Sequence, residues 1–437
     1  MKKVLFLFSF LFLIISCEKD IDSIEEESFD PDLICEGCDI TITNEATRVT
    51  QYDQDVNLSS RGNKSSLSAK IYGISLRLKA TVDPLYIYHN GVKELLNANH
   101  VDVKSRRIAA SYSLRGEPYS GGVDVLSMPK GGNAKLEGTL VVPDRDIDAI
   151  SFLGKNNLLF GGGFDATKFY GGDYPSYFGQ YKIQYNKKTE VFSLREDQLF
   201  HSQFGNKLRS LKYLYGMVSG SGGGNSGIIF AYDEETNTLI KHNSNETEGL
   251  FILDTSIEKR DNDFDFIAIG FNNETKELTA FYYDISKKTN IMEFSYFVSL
   301  GFYNLNVEAK HSIAVPKKGR LAVSLGSDGI GLFKIGANDN DVYVATLTQQ
   351  IKSEVLDSGK PNEVINSFTY KGGVFYVAAG EAGILIMPYN SKKNIISEDF
   401  LQVEFPKDIS VNSIAKSDSD LVVATTEGLS IYTVSGL

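Results

Sequence analysis

The 437-residue chain has no tryptophan, three cysteines, five histidines and ten prolines, and its lysines and arginines (44) are outnumbered by aspartates and glutamates (56). Each shortage excludes something. Three cysteines are too few for a disulfide-built scaffold, and five scattered histidines are too few for a histidine-rich metal centre. A net charge of −12 has the wrong sign for neutralising phosphates, so nucleic acid is not an expected partner. The absence of tryptophan removes the indole platform on which sugars commonly stack, leaving 23 Tyr and 27 Phe to supply aromatic surface. No long amphipathic helix is visible, because no stretch keeps a 3.6-residue apolar period over a dozen positions. Catalytic signatures are missing as well: there is no Gly-x-Ser-x-Gly, His-Glu-x-x-His or phosphate-binding loop.

What is present begins at the amino terminus. Lys2 and Lys3 precede the apolar run Val4–Ile15, broken only by Ser9. Twelve residues are too short to cross a hydrocarbon core of about 30 Å as a helix, so the run reads as the core of an export signal over residues 1–16. It ends in Ile14-Ile15-Ser16-Cys17, and the following residues are Glu18-Lys19-Asp20. This segment resembles the lipobox of bacterial lipoproteins, and Cys-Glu-Lys-Asp resembles the export signal of Bacteroidetes surface lipoproteins. The resemblance implies diacylation of Cys17 and anchorage in the outer membrane, facing outward. Ile21 departs from the fuller form of that signal, in which a second acid follows. Asp22-Ser23-Ile24 also resembles the O-glycosylation motif of that phylum.

Residues 18–33 hold eight acids against one lysine, a composition that repels itself and reads as an extended tether within a leader segment spanning 17–66. In it, Cys35 and Cys38 form a lone Cys-x-x-Cys. Zinc would need two further ligands that the sequence does not supply, and an exported protein meets oxidising conditions. A local disulfide between Cys35 and Cys38 is therefore expected.

Residues 67–437 read as one all-β architecture. A short apolar strand, a Gly-rich turn and a second apolar strand recur, with second strands starting at 122, 179, 227, 277, 331, 383 and 428, a mean spacing of 51 residues. Four short strands per unit at that spacing is the signature of a β-propeller blade. Seven blades over 100–437 are expected. The last unit ends too near the terminus to hold an outer strand, which residues 67–99 would supply through Leu76–Val82 and Leu85–Tyr88. The alternative is that 67–99 form an eighth blade. Gly383-Ile384-Leu385-Ile386-Met387, Gly331-Leu332-Phe333-Lys334-Ile335 and Gly428-Leu429-Ser430-Ile431-Tyr432 resemble the LVIVD-type repeats of bacterial surface propellers, although the Asp that closes that motif is replaced by Pro388, Gly336 and Thr433. That resemblance implies extracellular binding rather than a particular reaction.

Candidate sites are few. The insertion Gly171-Gly172-Asp173-Tyr174-Pro175-Ser176-Tyr177-Phe178 loads a loop with aromatics, which nominates Asp173, Tyr174, Tyr177 and Phe178 as a ligand-binding loop, with packing back onto the blade as the competing expectation. His100 and His311 precede inner-strand positions that would line a central channel, with a satisfied structural role as the favoured expectation for each. Ser219–Gly224 reads as a hairpin loop, and Asp261–Asp265 and Asn338–Asp341 as solvated loops rather than calcium sites, since neither carries EF-hand spacing. No cofactor and no metal are expected. Function reduces to two classes: a non-enzymatic binding propeller for a protein or glycan, or a polysaccharide hydrolase or lyase with paired carboxylates in the funnel.

Overall fold

A computed structural model describes residues 41–61 and 73–436 apart from several internal stretches, the longest being 165–175, 243–248 and 353–363; most side chains between 178 and 248 lie outside the description. Cys17, Cys35 and Cys38, with the export signal and acidic tether, fall outside the described residues, as do Asp173 and Tyr174. The fold is all-β with a propeller arrangement, and its only helix among the described residues is the 3₁₀ turn Ala46–Arg48.

The strands pair antiparallel in chain order. The first sheet comprises Asn97–Lys104, Arg107–Ser113, Gly121–Ser127 and Lys135–Val142. The second comprises Ala149–Leu153, Asn157–Gly163, Ser176–Asn186 and Val191–Ser202, and the third Lys207–Leu214, Met217–Gly223, Ile229–Asp233 and Thr238–His242. The fourth holds Phe251–Arg260, Asp263–Phe271, Glu277–Ser286 and Ile291–Phe302; the fifth holds Ile313–Lys317, Arg320–Ser324, Ile330–Ala337 and Tyr343–Ile351. Ser367–Lys371, Val374–Ala378, Ile384–Asn390 and Phe400–Val403 make the sixth. The seventh is Val411–Lys416, Asp420–Thr425 and Gly428–Ser435, with the N-terminal strand Ser75–Val82 added beside Gly428–Ser435. No sheet closes on itself.

Each sheet is sandwiched between two others, so its middle strands are covered on both faces. This is why Val374–Ala378 and Asp420–Thr425 are buried at every position, while the outer strand Ile291–Phe302 alternates and Tyr343–Ile351 is largely exposed through Thr348. Apolar cores lie between consecutive sheets. One joins the seventh and first through Ala80, Val422, Ile431, Val101 and Tyr112, and another joins the fourth and fifth through Ile267, Leu278, Leu321 and Phe333. The inner strand of each sheet packs on that of the next, and Val411–Lys416 packs on Asn97–Lys104.

A glycine recurs where the second middle strand meets the outer one. Gly329, Gly383 and Gly428 have φ of +90°, +90° and +100°, and a Cβ there would lie 1.8, 2.1 and 2.0 Å from the carbonyl oxygens of Ile351, Val403 and Val82. In the seventh sheet the opposing carbonyl therefore belongs to the N-terminal strand, which occupies the place filled by a C-terminal outer strand elsewhere. In the fifth sheet the left-handed glycine is Gly329, two residues before the Gly331 at which the repeat begins.

The structure revises several sequence expectations. Leu85–Tyr88 does not join the seventh sheet; Tyr86–His89 pairs with Val92–Leu95 in a separate hairpin. Ser219–Gly223 is strand rather than loop, its glycine at 220 lying under the Phe230 ring, 2.2 Å from where a Cβ would stand. Asp263 and Asp265 also lie in a strand. Residues 41–61, expected within the tether, form strands on the rim. Thr41–Thr43 pairs with Lys135–Val142 of the first sheet, Val49–Asp55 with Ser75–Val82 of the seventh, and Ser59–Arg61 with Phe400–Val403 of the sixth.

Candidate functional site: the cleft between the fourth and fifth sheets

Two locations gather polar side chains: the axis and the face of the fourth sheet turned toward the fifth. At the axis the Asp254 and Asp102 carboxylates are committed to joining sheets. Asp254 accepts from Ser210, from Lys212 and, at 2.7 Å, from the Ile313 amide, while Lys212 also donates to the Ile313 carbonyl at 2.8 Å. Three sheets are thereby tied at one carboxylate. Asp102 accepts from the Phe152 amide at 2.8 Å and from Ser151 at 3.2 Å, linking the first sheet to the second. Lys310 spans the interior to the Asp148 carbonyl at 2.8 Å. The Asn366 and Asn412 amides repeat one bond, to the Val411 and Ala98 carbonyls of the next sheet.

His100 and His311 share this structural character. His100 Nδ1 accepts from the Ile150 amide at 3.2 Å, and the His311 ring nitrogens lie 3.2 and 3.0 Å from the Ser324 and Asn306 carbonyls, the single N–H of the neutral ring donating to one of them. Burial, reinforced by the Lys310 and Lys212 charges, holds the His100 imidazole well below its usual range; burial also lowers His311. Both are neutral residues of the interior.

The rim cleft differs in kind. Across the fourth sheet Glu258 faces Asp265, Asp265 faces Asp284, and Asp284 faces Glu293, one carboxylate on each strand. Directly opposed like charges destabilise a sheet, so such a row has no structural motive. Two residues along the same face, Tyr282 stands opposite Tyr296. Their rings stack at 4.5 Å with 14° between planes, and Tyr296 stacks on Tyr343 of the fifth sheet at 3.8 Å and 7°. The stack runs from a half-buried Tyr282 to a Tyr343 that is 44 % exposed. Ser295 donates to Asp284 at 2.7 Å.

The electrostatics follow from crowding. Burial and then the Asp265 charge push the Glu258 carboxyl above its usual range, against the pull of Lys318. Burial, neighbouring tyrosines and these carboxylates lift the Tyr282 and Tyr296 phenols beyond the ordinary range, so both remain protonated donors at physiological pH. On the same face as the stack, Ile291 and Leu347 are exposed on the two outer strands, whereas Phe297 pairs with Phe281 on the opposite face of the fourth sheet. The cleft thus offers phenol donors, carboxylate acceptors and apolar surface together. Among the described residues no group of histidines, cysteines and acids is arranged to hold a metal ion.

The sequence did not point here. Its signal was nonetheless present: Asp263-Phe264-Asp265-Phe266 and Tyr282-Tyr283-Asp284 alternate acid or phenol with buried apolar residues at the period of a strand. Of the loop nominated from sequence, Tyr177 is buried, donates to the Asp146 carbonyl at 3.0 Å, and lies under the Arg145 guanidinium at 5.1 Å. It packs against Phe164 instead of facing solvent. Phe178 lies in the strand Ser176–Asn186, outside the side-chain description.

The fold places the chain among all-β proteins of propeller type. No family model matches it, and no curated protein matches it.

Proposed function

We propose that the chain is an outer-membrane lipoprotein, held by a lipid on Cys17 and displayed on the cell surface, whose seven-bladed propeller binds a protein or glycan without transforming it. The lipobox-like and export-signal-like residues support the address. The cyclic packing of inner strands, with Ser75–Val82 beside Gly428–Ser435, supports seven blades closed by N-terminal pairing over an eighth blade in 67–99. The observation that carries the binding reading is the contrast between axis and outer edge: axial Asp102 and Asp254 are consumed by inter-sheet hydrogen bonds, whereas the acid row and the tyrosine stack run outward to the exposed Glu293 and Tyr343. Affinity capture from intact cells, combined with a glycan array, tests it. Specific retention of a partner weakened by Tyr343→Ala is expected; retention indifferent to that substitution would overturn the site. Labelled palmitate should mark the native chain and not Cys17→Ala.

A second reading, a polysaccharide hydrolase or lyase, has one observation in its favour. Glu258, raised towards the protonated form, faces Asp265 directly, the environment that separates an acid from an ionised partner. Turnover of any extracellular polysaccharide that is abolished by Glu258→Gln would place this reading first.

A further inference from the structure

The outer edges of the sheets are not equivalent. Three carry an extra strand from the chain's own N-terminal segment: Thr41–Thr43 on the first, Val49–Asp55 on the seventh and Ser59–Arg61 on the sixth. Among the described residues the second to fifth sheets end in their fourth strand. Such edges are usually blunted by charge or proline. The second sheet's outer strand, Val191–Ser202, carries Arg195, Glu196 and Asp197; the third's carries Lys241; the fourth's carries Glu293. The fifth's, Tyr343–Ile351, reads Tyr-Val-Ala-Thr-Leu-Thr-Gln-Gln-Ile and carries neither charge nor proline.

That edge is also held in place. Gln349 exchanges two hydrogen bonds with the backbone of Ile396, each 2.8 Å, and Gln350 donates to the Asp328 carbonyl at 3.0 Å. The C-terminal half of the strand is thereby anchored, leaving Tyr343–Leu347 as the open portion, with Tyr343, Val344 and Leu347 exposed.

Resting on the reading of a binding propeller, we propose that Tyr343–Leu347 is an edge for strand addition, and that its occupant is an extended segment of a partner protein in which apolar side chains alternate with lysine or arginine. Main-chain bonds to the edge give affinity, and side chains on the cleft side meet the tyrosine stack and Glu293. Charge selects the occupant. The chain's own residues 18–33 carry eight acids, and a second copy brings another −12, so both are repelled by the acid row that attracts a basic strand.

The test uses the full chain and two labelled nine-residue peptides, one alternating Val and Lys, the other Val and Glu. Anisotropy should show the Val/Lys peptide bound at least about tenfold more tightly, and Val344→Lys with Leu347→Lys should remove that preference. Glu293→Gln should weaken binding several-fold and flatten its salt dependence. Amide exchange should slow at Tyr343–Leu347 on binding, a readout that attachment by side chains alone does not produce. Equal affinity for both peptides, or protection appearing at another edge, overturns the proposal. So does dimerisation of the free chain with protection at this edge, since the occupant is then a second copy. The broader reading fails separately: capture from cells with no response to peptide removes strand addition alone, while peptide binding with no captured partner removes the functional assignment.

Discussion

The rim of the first, sixth and seventh sheets and the rim of the fourth and fifth are built from the same four-strand unit, yet they are finished in opposite ways. On the first, the N-terminal segment lies over the outer edges, and Arg48 is sunk into the structure. Its guanidinium donates to both Asp124 oxygens at 3.0 and 2.8 Å and to the Asp83 carbonyl at 2.6 Å, while Thr139 donates to Asp124 at 2.6 Å. Burial works against that charge, and Asp124 more than compensates. On the second rim, opposed carboxylates and stacked phenols run from partly buried positions out to exposed Glu293 and Tyr343. One rim ties its polar groups into the joints between sheets, the other carries them out to exposed Glu293 and Tyr343.

The largest effect expected is at Arg48. Arg48→Ala leaves Asp124 buried without its partner and should cost about 3–5 kcal/mol in denaturant unfolding. Leu347→Lys on the open rim should change stability by no more than about 0.5 kcal/mol. Comparable losses at the two positions would erase the distinction. Next comes Gly428→Ala, which combines φ of +100° with a Cβ 2.0 Å from the Val82 carbonyl. Strain of about 1–3 kcal/mol is expected, together with faster amide exchange in Ser75–Val82 as that strand is pushed off. Gly336→Ala, with nothing within 4 Å and no left-handed backbone, is the matched control and should be tolerated.

The rim strap and the rim cleft were unequally legible in the sequence. The repeat could be read because each blade's two middle strands are buried on both faces, which produces unbroken apolar runs such as Val374–Ala378. The need for Ser75–Val82 could be read from the short last unit. Residues 41–61 could not, because a strand added to an edge buries little: Val49–Asp55 is exposed at nearly every position and looks like tether. The cleft was hidden for another reason. Its acids are 258, 265, 284 and 293, and only the register of four strands places them in one row. The aromatics of 174–178 drew attention as a cluster in sequence, yet Tyr177 belongs to the core.

A smaller effect separates axis from rim by pH. His100 and His311 have folded-state pKa values below the roughly 6.5 of an unfolded histidine. As pH falls below that value the unfolded chain takes up protons that the native chain refuses, so stability is full above it and declines beneath it. Each histidine contributes up to about 1.4 kcal/mol per pH unit. Asp102, raised by its own burial, opposes this slope, because in its window the native state holds a proton that the unfolded state lacks. The decisive measurement is therefore a difference: wild type minus His100→Gln, followed between pH 7 and 5. A slope unchanged by the substitution would show that His100 titrates normally.

The last effect expected is at the end of the tyrosine stack, where the contact between the fourth and fifth sheets reaches the surface. Tyr343 covers one face of Tyr296 at 3.8 Å and is itself 44 % exposed, so removing its ring uncovers a neighbour more than it empties a core. Tyr343→Ala should cost about 0.5–1.5 kcal/mol, the range for one aromatic pair, and Tyr343→Phe should restore nearly all of it. Because the chain contains no tryptophan, tyrosine dominates its near-ultraviolet signal. Loss of the ring should diminish the coupled dichroism of parallel phenols, and Phe at 343 should leave only the Tyr282–Tyr296 pair. A Tyr343→Ala protein that keeps both its stability and its dichroism would mean the three rings do not stack in solution. The cleft would then lose its ordered aromatic wall, leaving the row of acids with no surface to orient a partner against it.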